Sequence, residues 1–354
     1  MKKIALGLLI FLASSVSYAQ EAFFYKGLDY GNQSLFNPVY VIVNGGFDML
    51  QVGNRRDLST LKFGSSIKNV FRNLGNPFNV IDRYGWGNFI SDEILPLSLN
   101  KDNGQFWPNY TLHLIGGGML FAATEEWYRH HKYPEPSLLS AATIMTYHLI
   151  NEAVENWNND GDSVDPIADI YIFDIGGIIL FSFDGVRKFF AEELNLADWS
   201  MQPSYSIAGN ELHNTGQFFS MKWKIPFLDK WHLFYYFGTN GVGGVSYKFD
   251  DGSAISVGAG AAASDLIKVN EKINKNSVKL VGNVGVFYDR NNSLMASLSL
   301  SFKTDYWLNL NIYPGIIKFG DFSPGIWCAY NDDKQIVLGF SFNWFPMGIA
   351  HKLR

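Results

Sequence analysis

Apolar and polar residues alternate one by one along the second half of the chain. The segment "LMASLSLSF", which begins at Leu294, places its apolar residues on one face and its serines on the other. The segments "FSMKWKI" from Phe219 and "YWLNLNIY" from Tyr306 alternate in the same way. A period of two residues is typical of a β-strand whose two faces meet different environments. From about residue 199 to 345 the pattern predicts roughly ten strands of about 8 to 11 residues.

Turn-forming residues separate these runs, as in Asp250-Asp251-Gly252, and they predict hairpins of an antiparallel sheet. The predicted strand length matches the roughly 9 to 11 residues that cross a bilayer obliquely. The polar face is rich in Ser, Asn and Gly, and aromatic residues lie near the strand ends, as interfacial girdles do. These aromatic residues are Trp231, Tyr306, Trp307, Tyr313, Trp327, Trp344 and Phe345. We therefore predict that residues 197–354 form an antiparallel β-barrel in the outer membrane; a soluble sandwich is the alternative, since its strands alternate too.

The first half of the chain shows other patterns. Residues 37–51, "NPVYVIVNGGFDMLQ", suggest a strand, a Gly-Gly turn and a second extended piece. A short amphipathic helix is predicted between Ser65 and Gly75, and residues 78–106 are interpreted as loop. Residues 20–106 are thus predicted to be a region of strand, loop and one short helix.

Three longer apolar segments predict helices over about 107–131, 137–157 and 165–194. Asp165 is the expected N-cap of the third helix and Pro166 its first residue. Asp, Glu or His interrupts each apolar stretch, so none is a clean membrane span. Residues 107–196 are predicted to form a compact helical unit, which makes the fold α+β with helices first and strands second.

Composition and the N-terminus predict the location. Residues 1–19 have Lys2 and Lys3, an apolar run and a Ser17-Tyr18-Ala19 end, the pattern of a cleavable signal peptide. The outer membrane is the expected location and the periplasm the alternative. Cys328 is the only cysteine, so an intramolecular disulfide is impossible. A net charge of -5 argues against nucleic acid as a partner.

Residues 148–177, "HLINEAVENWNNDGDSVDPIADIYIFDIGG", contain seven carboxylates, and no Lys or Arg occurs between Tyr133 and Val186. On the second predicted helix His148, Glu152 and Glu155 share one face. Asp169 shares a face of the third helix with Gly176, whereas Asp174 is expected to point elsewhere. On the first helix His113 lines up with Gly116, within a Gly116–Gly118 run that would let another backbone come near. We therefore expect three helices to converge with these side chains at one polar centre. Its members are His113, His148, Glu152 and Asp169.

Three kinds of chemistry suit such a centre. It can be a buried hydrogen-bonded network that fixes helix register, a binding site for a ligand or lipid headgroup, or a metal or general-base site. A calcium loop is a further, weaker hypothesis. Its ligands would be Asn158, Asp160, Asp162 and Asp169, at loop positions 1, 3, 5 and 12. Ser163 stands where that loop requires Gly, and Pro166 interrupts it, so a solvated linker is the preferred interpretation.

Part of the helical region resembles VanZ-like proteins and related bacterial envelope proteins. The resemblance covers about residues 107–190: acidic residues on one helix, a short polar segment, then further Asp residues and paired glycines that open an apolar helix. The matching positions are Glu152, Glu155, Asp165, Asp169, Asp174, Gly176 and Gly177, with His113 of "HLIGGG" on the preceding helix. Asp174 stands where Asn is common, and a basic residue often seen before the Asp is absent. The resemblance implies an envelope role near lipid or glycan.

These observations predict an outer-membrane-associated envelope protein that binds or moves a lipid or another amphipathic component without catalysing a reaction. Membrane lipid is the expected partner and no cofactor is expected, whereas the sequence leaves protein partners open. The first alternative is a membrane-associated enzyme that acts on an envelope lipid through the His/Glu/Asp centre. Asp174 and Glu155 are included among its polar residues. The second alternative is a purely structural barrel. No nucleophile elbow or dinucleotide fingerprint is found in the sequence.

Overall fold

The computed structural model of the chain describes residues 21–52, 55–96, 107–156, 161–270, 275–303, 306–331 and 334–353. The predicted signal peptide lies outside these residues. Short 3₁₀ turns occur at Asn32–Leu35, Asp48–Gln51 and Leu58–Thr60. The α-helices are α1 (Pro38–Gly46), α2 (Phe63–Gly75), α3 (Pro77–Tyr84), α4 (Trp86–Phe89), α5 (Gly118–His130), α6 (Pro136–Asn156), α7 (Asp165–Ala168), α8 (Ile175–Leu180) and α9 (Asp184–Lys188). The π-helical segments are Ile90–Ile94, Trp107–Gly117, Asp169–Asp174 and Phe189–Glu193.

The C-terminal half is a mixed sheet. Its strands are β1 (Ala197–Asp198), β2 (Ser204–Ser206), β3 (Glu211–His213), β4 (Phe219–Lys224), β5 (Trp231–Phe237), β6 (Asn240–Lys248), β7 (Ser253–Asn270), β8 (Lys275–Arg290), β9 (Ser293–Ser301), β10 (Leu308–Ile312), β11 (Gly325–Tyr330), β12 (Ile336–Ser341) and β13 (Gly348–Leu353). Their order is β1-β4-β5-β6-β7-β8-β9-β10-β11-β12-β13-β2-β3. Neighbouring strands run antiparallel except β13 and β2, which are parallel. The fold is therefore α+β, with the helical region preceding the sheet.

The predicted antiparallel β-barrel of roughly ten strands is wrong. The sheet is open, since no strand pairing among the described residues joins its two edges, β1 and β3. It has 13 strands, and their lengths run from two residues in β1 to 18 in β7. Alternation reports that each strand has two different faces, and it does not determine how the ends of a sheet meet. The alternative interpretation as a purely structural barrel is therefore wrong as well.

Residues 37–51 are mainly helical, and the predicted pair of extended pieces is wrong. The Asn37 side chain accepts a hydrogen bond from the Tyr40 N–H (3.0 Å), and Pro38 occupies the first helical position, so both start signals of a helix are present. The glycines are there for packing rather than for a turn. A Cβ on Gly45 would lie 2.6 Å from the Tyr147 ring of α6. The close contact of α1 with α6 therefore requires glycine.

The other two sequence predictions for this half also change in detail. Residues 78–106 are predicted to be loop, but the part up to Ile94 forms α3, α4 and the π-turn Ile90–Ile94. Residues 97–106 lie outside the described residues. The third long segment is divided, with α7, a π-turn and α8 followed by α9 and a second π-turn. The part Asp165–Leu180 is bent by 85° against Asp184–Glu193. Asp165 is the first residue of α7, and no side chain caps that helix.

Among the described residues, no single helix combines the length and apolar character that a membrane span requires. The bent pair Asp165–Leu180 and Asp184–Glu193 meets those criteria only when both parts are taken together.

The helices pack on the sheet through one aromatic core. The C-terminal half contributes Trp199, Phe218, Phe219, Phe237 and Tyr313, in the strands or directly beside them and all fully buried. The helices contribute Tyr40, Met119, Leu120, Phe121, Ile144, Tyr147 and Phe181. Polar groups fix the contact, because the Asn32 side chain donates to the Asp198 carbonyl (2.5 Å) and accepts from the Leu294 N–H (2.7 Å). The helical region and the sheet thus share one hydrophobic core.

Candidate functional site

The predicted polar centre lies where three helical segments meet. His113 belongs to the π-helical segment Trp107–Gly117, and His148 belongs to α6. The third segment is the π-turn Asp169–Asp174. Glycines permit the approach: a Cβ on Gly177 would lie 2.6 Å from the Leu114 carbonyl oxygen. The backbones of the first and third segments are therefore nearly in contact beside the two histidines.

Two histidines face one carboxylate in this centre. His113 Nδ1 lies 2.8 Å from Asp174 Oδ1, and His148 Nε2 lies 3.0 Å from the same oxygen. The other nitrogen of His113, Nε2, lies 3.5 Å from Asp169 Oδ2. The two imidazole rings stack with centroids 4.9 Å apart. All four side chains are buried except for a 12% exposed fraction of His113. Donor atoms of His113, His148 and Asp174 lie within 4.8 Å of one another, so this group can hold a metal ion.

Asp174 is central to the site, and the expectation that it points away from Asp169 is wrong. The expectation assumed α-helical winding, in which residues five apart diverge. The segment is instead a single π-turn, with i to i+5 hydrogen bonds, and this winding brings residues five apart onto one face. Asp169 and Asp174 therefore face His113 from its two sides.

The predicted Glu152 and Glu155 lie beside these groups on α6. Glu152 is 1% exposed, and neither carboxylate oxygen has a hydrogen-bond partner in the described part of the chain. The same holds for Asp169 Oδ1, Asp174 Oδ2 and both ring nitrogens of His148, whose contact with Asp174 is close but poorly directed. Glu155 is half-buried. Buried polar atoms without a partner are uncommon because each one costs free energy.

The electrostatics of the centre are dominated by uncompensated carboxyl groups. Burial raises the pKa of Glu152 well above its ordinary value, and Asp169 and Asp165 raise it further. Burial also raises the pKa of Asp169 and of Asp174 against the opposing effect of His113. Desolvation and Asp165 raise the pKa of Glu155 to about 8. The carboxyl groups of the described centre therefore outnumber its one positively charged group, and they cannot all be ionised together at ordinary cost.

The two histidines behave in opposite ways. Burial would lower the pKa of His113, but the charges of Asp169 and Asp174 outweigh it and raise this pKa to about 10. Burial lowers the pKa of His148 well below its ordinary value, and the neighbouring charge of His113 lowers it further. His113 is thus the protonated histidine, and His148 is neutral and free to offer a lone pair.

The two described residues of the predicted calcium loop, Asp162 and Asp169, do not come together. Asp162 is half exposed and binds Arg83, with Nη2 to Oδ1 3.0 Å, whereas Asp169 is buried beside His113. Asn158 and Asp160 lie outside the described residues. The two described members of the proposed loop therefore belong to different environments.

A second polar site, on the inner face of the sheet, was not foreseen from the sequence. A cavity of about 420 Å³ is lined by Lys26, Glu192, Lys222, His232, Lys248 and Asp289, among others. Lys222 Nζ binds both carboxylate oxygens of Asp289, and both side chains are buried. The signal in the sequence is weak, because Lys222 shares its strand face with Ser220 and Lys224.

Comparison with models of known protein families, with curated proteins and with solved structures finds no match to this chain. The resemblance of residues 107–190 to VanZ-like proteins accordingly stays a prediction.

Proposed function

We propose that the chain is an outer-membrane-associated envelope protein that binds lipid, with the outward face of its sheet against lipid chains. The observation that carries the proposal is an apolar row that crosses nine neighbouring strands and ends at His351 of the tenth. The paired residues of this row are Trp223, Leu233, Val245, Val257, Val286, Leu298, Leu310, Cys328, Leu338 and His351. Only the last of the ten is a polar residue.

A second row, two residues along each strand, is apolar as well. It consists of Met221, Tyr235, Gly243, Ala259, Val284, Leu300, Leu308, Tyr330, Ile336 and Leu353. A third row on the other side runs from Trp231 to Ile349. Its members are Trp231, Tyr247, Ile255, Tyr288, Ala296, Ile312, Ile326, Phe340 and Ile349. Rows on one face are about 7 Å apart, so the three form a broad band without an acidic or basic residue other than His351.

Most of the band is exposed. At its β4–β5 end Met221 and Tyr235 pack against the shared core, and the Trp107 ring lies 5.6 Å from that of Tyr235. Trp223 is 62% exposed, Leu233 55% and Val257 45%. A contiguous apolar surface of this extent is uncommon on a monomer in water and marks a contact with an apolar partner. Lipid chains suit it better than a protein partner does, because the band continues across strand after strand and its only acidic or basic residue is His351. Trp344 and Phe345, also exposed, lie beyond β12, where aromatic residues suit the lipid–water interface.

The cavity on the opposite face suits the polar part of an anionic amphiphile. Three lysines, Lys26, Lys222 and Lys248, line it against two carboxylates, Glu192 and Asp289. An anionic headgroup would balance the extra positive charge. The proposal therefore includes a second lipid molecule, which has a phosphate-containing headgroup and is separate from the lipid chains that cover the band.

An enzyme that acts on an envelope lipid through the His/Glu/Asp centre is the alternative. Its support is the contact of His113 with Asp174, an arrangement found in general-base catalysis. Its weakness is access, because His148, Asp169 and Asp174 are each at most 5% exposed at the side chain. Lipid binding by the sheet face is the better supported of the two.

Flotation with lipid vesicles tests the proposal. The purified full chain, diluted from detergent, is mixed with phosphatidylcholine vesicles that contain or lack phosphatidylglycerol and is spun through a density gradient. We expect the chain to float with the vesicles, and more of it with the anionic ones. Val257→Lys puts a charge in the middle of the band, which costs about 2 to 4 kcal/mol in lipid, so binding should fall at least tenfold.

Ser65→Lys is the matched control, since it adds the same charge at an exposed position of α2. It should float as the unchanged chain does, and circular dichroism should show that both variants fold. The proposal is overturned if the unchanged chain stays in the aqueous fraction, or if Val257→Lys floats as well as Ser65→Lys.

A further inference from the structure

We infer that His113, His148 and Asp174 bind one divalent transition-metal ion of the zinc type. The site is separate from the lipid-facing band, and the inference does not depend on the proposed function. The three residues come from three different helical segments, so an ion bound to them would tie these segments together.

The geometry needs only a small adjustment. Zn²⁺ binds imidazole nitrogen and carboxylate oxygen at about 2.0 to 2.2 Å in a tetrahedron, which places neighbouring donors about 3.3 Å apart. Asp174 Oδ1 is 2.8 Å from His113 Nδ1 and 3.0 Å from His148 Nε2. Shifts of a few tenths of an ångström would make room for the ion. Gly117 leaves that room, because a Cβ there would lie 3.0 Å from His148 Nε2.

Unpartnered buried atoms point to an occupant. Both ring nitrogens of His148 lack a hydrogen bond, although the side chain is 2% exposed. Both carboxylate oxygens of Glu152 and one oxygen each of Asp169 and Asp174 are also buried without a hydrogen-bond partner among the described residues. An internal hydrogen-bonded network would leave few such atoms, whereas a metal ion uses them as donors.

Charge and orientation agree with the donor set. A divalent cation offsets the excess of carboxylates, which has no lysine or arginine between Tyr133 and Val186 in the sequence. With His113 Nδ1 on the ion, its Nε2–H faces Asp169 Oδ2, 3.5 Å away. A carboxylate that orients a metal-binding imidazole in this way is common in metal sites. Two nitrogens with carboxylate oxygen suit Zn²⁺ better than Ca²⁺ or Mg²⁺, which prefer oxygen alone.

Cobalt substitution tests the site. The metal content of the full chain is measured by mass spectrometry, and the chelator-treated chain is then titrated with Co²⁺ while the visible ligand-field absorption is recorded. We expect one Co²⁺ per chain with the intense absorption of tetrahedral coordination, and its displacement by Zn²⁺. His148→Gln and Asp174→Asn should abolish this signal. Asp169→Asn should weaken binding about 10- to 100-fold.

His351→Gln and Asp162→Asn are matched controls at exposed positions, and both should bind as the unchanged chain does. A second measurement uses only the unchanged chain and so does not depend on the folding of any variant. After chelator treatment, Zn²⁺ should raise the thermal midpoint of unfolding. The inference is overturned if the unchanged chain binds no Co²⁺, or if binding survives in both His148→Gln and Asp174→Asn. Vesicle flotation should be the same with and without metal, which separates this test from that of lipid binding.

Discussion

Lys222 Nζ lies 2.6 Å from one carboxylate oxygen of Asp289 and 2.7 Å from the other, and the two side chains are buried beneath the helices. The residues come from β4 and β8, which are not neighbours in the sheet. Asn292 accepts a further hydrogen bond from the ammonium group at 3.2 Å, and the ring of Trp199 lies 5.0 Å from it. The pair therefore ties distant strands together on the inner face.

Lys222→Met should destabilise the chain by about 3 to 5 kcal/mol, because it leaves the Asp289 carboxylate buried without its cation. The free energy of unfolding from denaturant titration measures this loss. Lys222→Met combined with Asp289→Leu should recover most of it, since no unpaired charge remains. Lys230→Met removes the exposed contact with Asp250 and should have little effect. A double variant as unstable as Lys222→Met would refute this account.

The polar centre makes stability depend on pH. His113 keeps its proton in the folded chain up to a pKa of about 10, whereas the unfolded chain loses it near pH 6.5. Glu155 likewise holds its proton up to about pH 8, against about 4.5 when unfolded. The folded state binds more protons in both cases, so stability is full at low pH and falls as pH rises. His148, with a lowered pKa, is neutral in both states above pH 6.5 and adds no slope there.

Thermal midpoints of the chelator-treated chain should therefore fall from pH 7 to pH 9. The fall should be smaller in His113→Gln, which removes the titrating group. His351→Gln, an exposed histidine at the end of the sheet, should keep the slope of the unchanged chain. A midpoint that rises over this range, or parallel curves for all three proteins, would contradict the proposed protonation of His113.

The features of the fold that the sequence predicts correctly are those encoded by a local pattern. Period-two alternation located the strands of the sheet, and apolar stretches located the longer helices, because both patterns lie within one element. In α1 the start signal Asn37-Pro38 is also local, but the β-branched residues that follow it favour a strand. The closure of the sheet was a different matter. It depends on how residues 197–213 pair with distant strands, and alternation carries no information about that.

The site was partly predictable for the same reason. His148 and Glu152 were placed on one helix face by their spacing, and His113 was expected near them. The position of Asp174 was wrongly predicted because a π-turn changes which residues share a face of a helix. Whether a π-turn forms depends on the surrounding packing, which the local sequence does not show. The pair of Lys222 and Asp289 was out of reach, since 67 residues and the register of several strands separate them.

Gly177→Ala should disturb the helix contact that positions the centre. The added Cβ would meet the Leu114 carbonyl oxygen at 2.6 Å and the Gly118 nitrogen at 3.1 Å, and backbone atoms cannot move aside cheaply. The expected loss in free energy of unfolding is about 1 to 3 kcal/mol. Gly185→Ala is the control, because a Cβ at that position of α9 meets nothing within 4 Å. It should leave stability unchanged or raise it by up to about 1 kcal/mol, and equal losses in the two variants would contradict the packing argument.

Glu126 holds the first described segment of the chain against the helices. Its buried carboxylate accepts hydrogen bonds from the backbone N–H groups of Phe23 (3.0 Å), Phe24 (2.8 Å) and Tyr25 (2.7 Å). Glu126→Gln replaces one acceptor oxygen by an NH₂ group that faces an N–H donor, so at least one of these bonds is lost. Hydrogen exchange at residues 23–25 should become at least tenfold faster, which corresponds to about 1.4 kcal/mol of local stability. Glu192→Gln, at an exposed position, should leave that exchange unchanged. Unaltered protection in Glu126→Gln would mean that apolar contacts of Phe24 and Tyr25 hold the segment without the carboxylate.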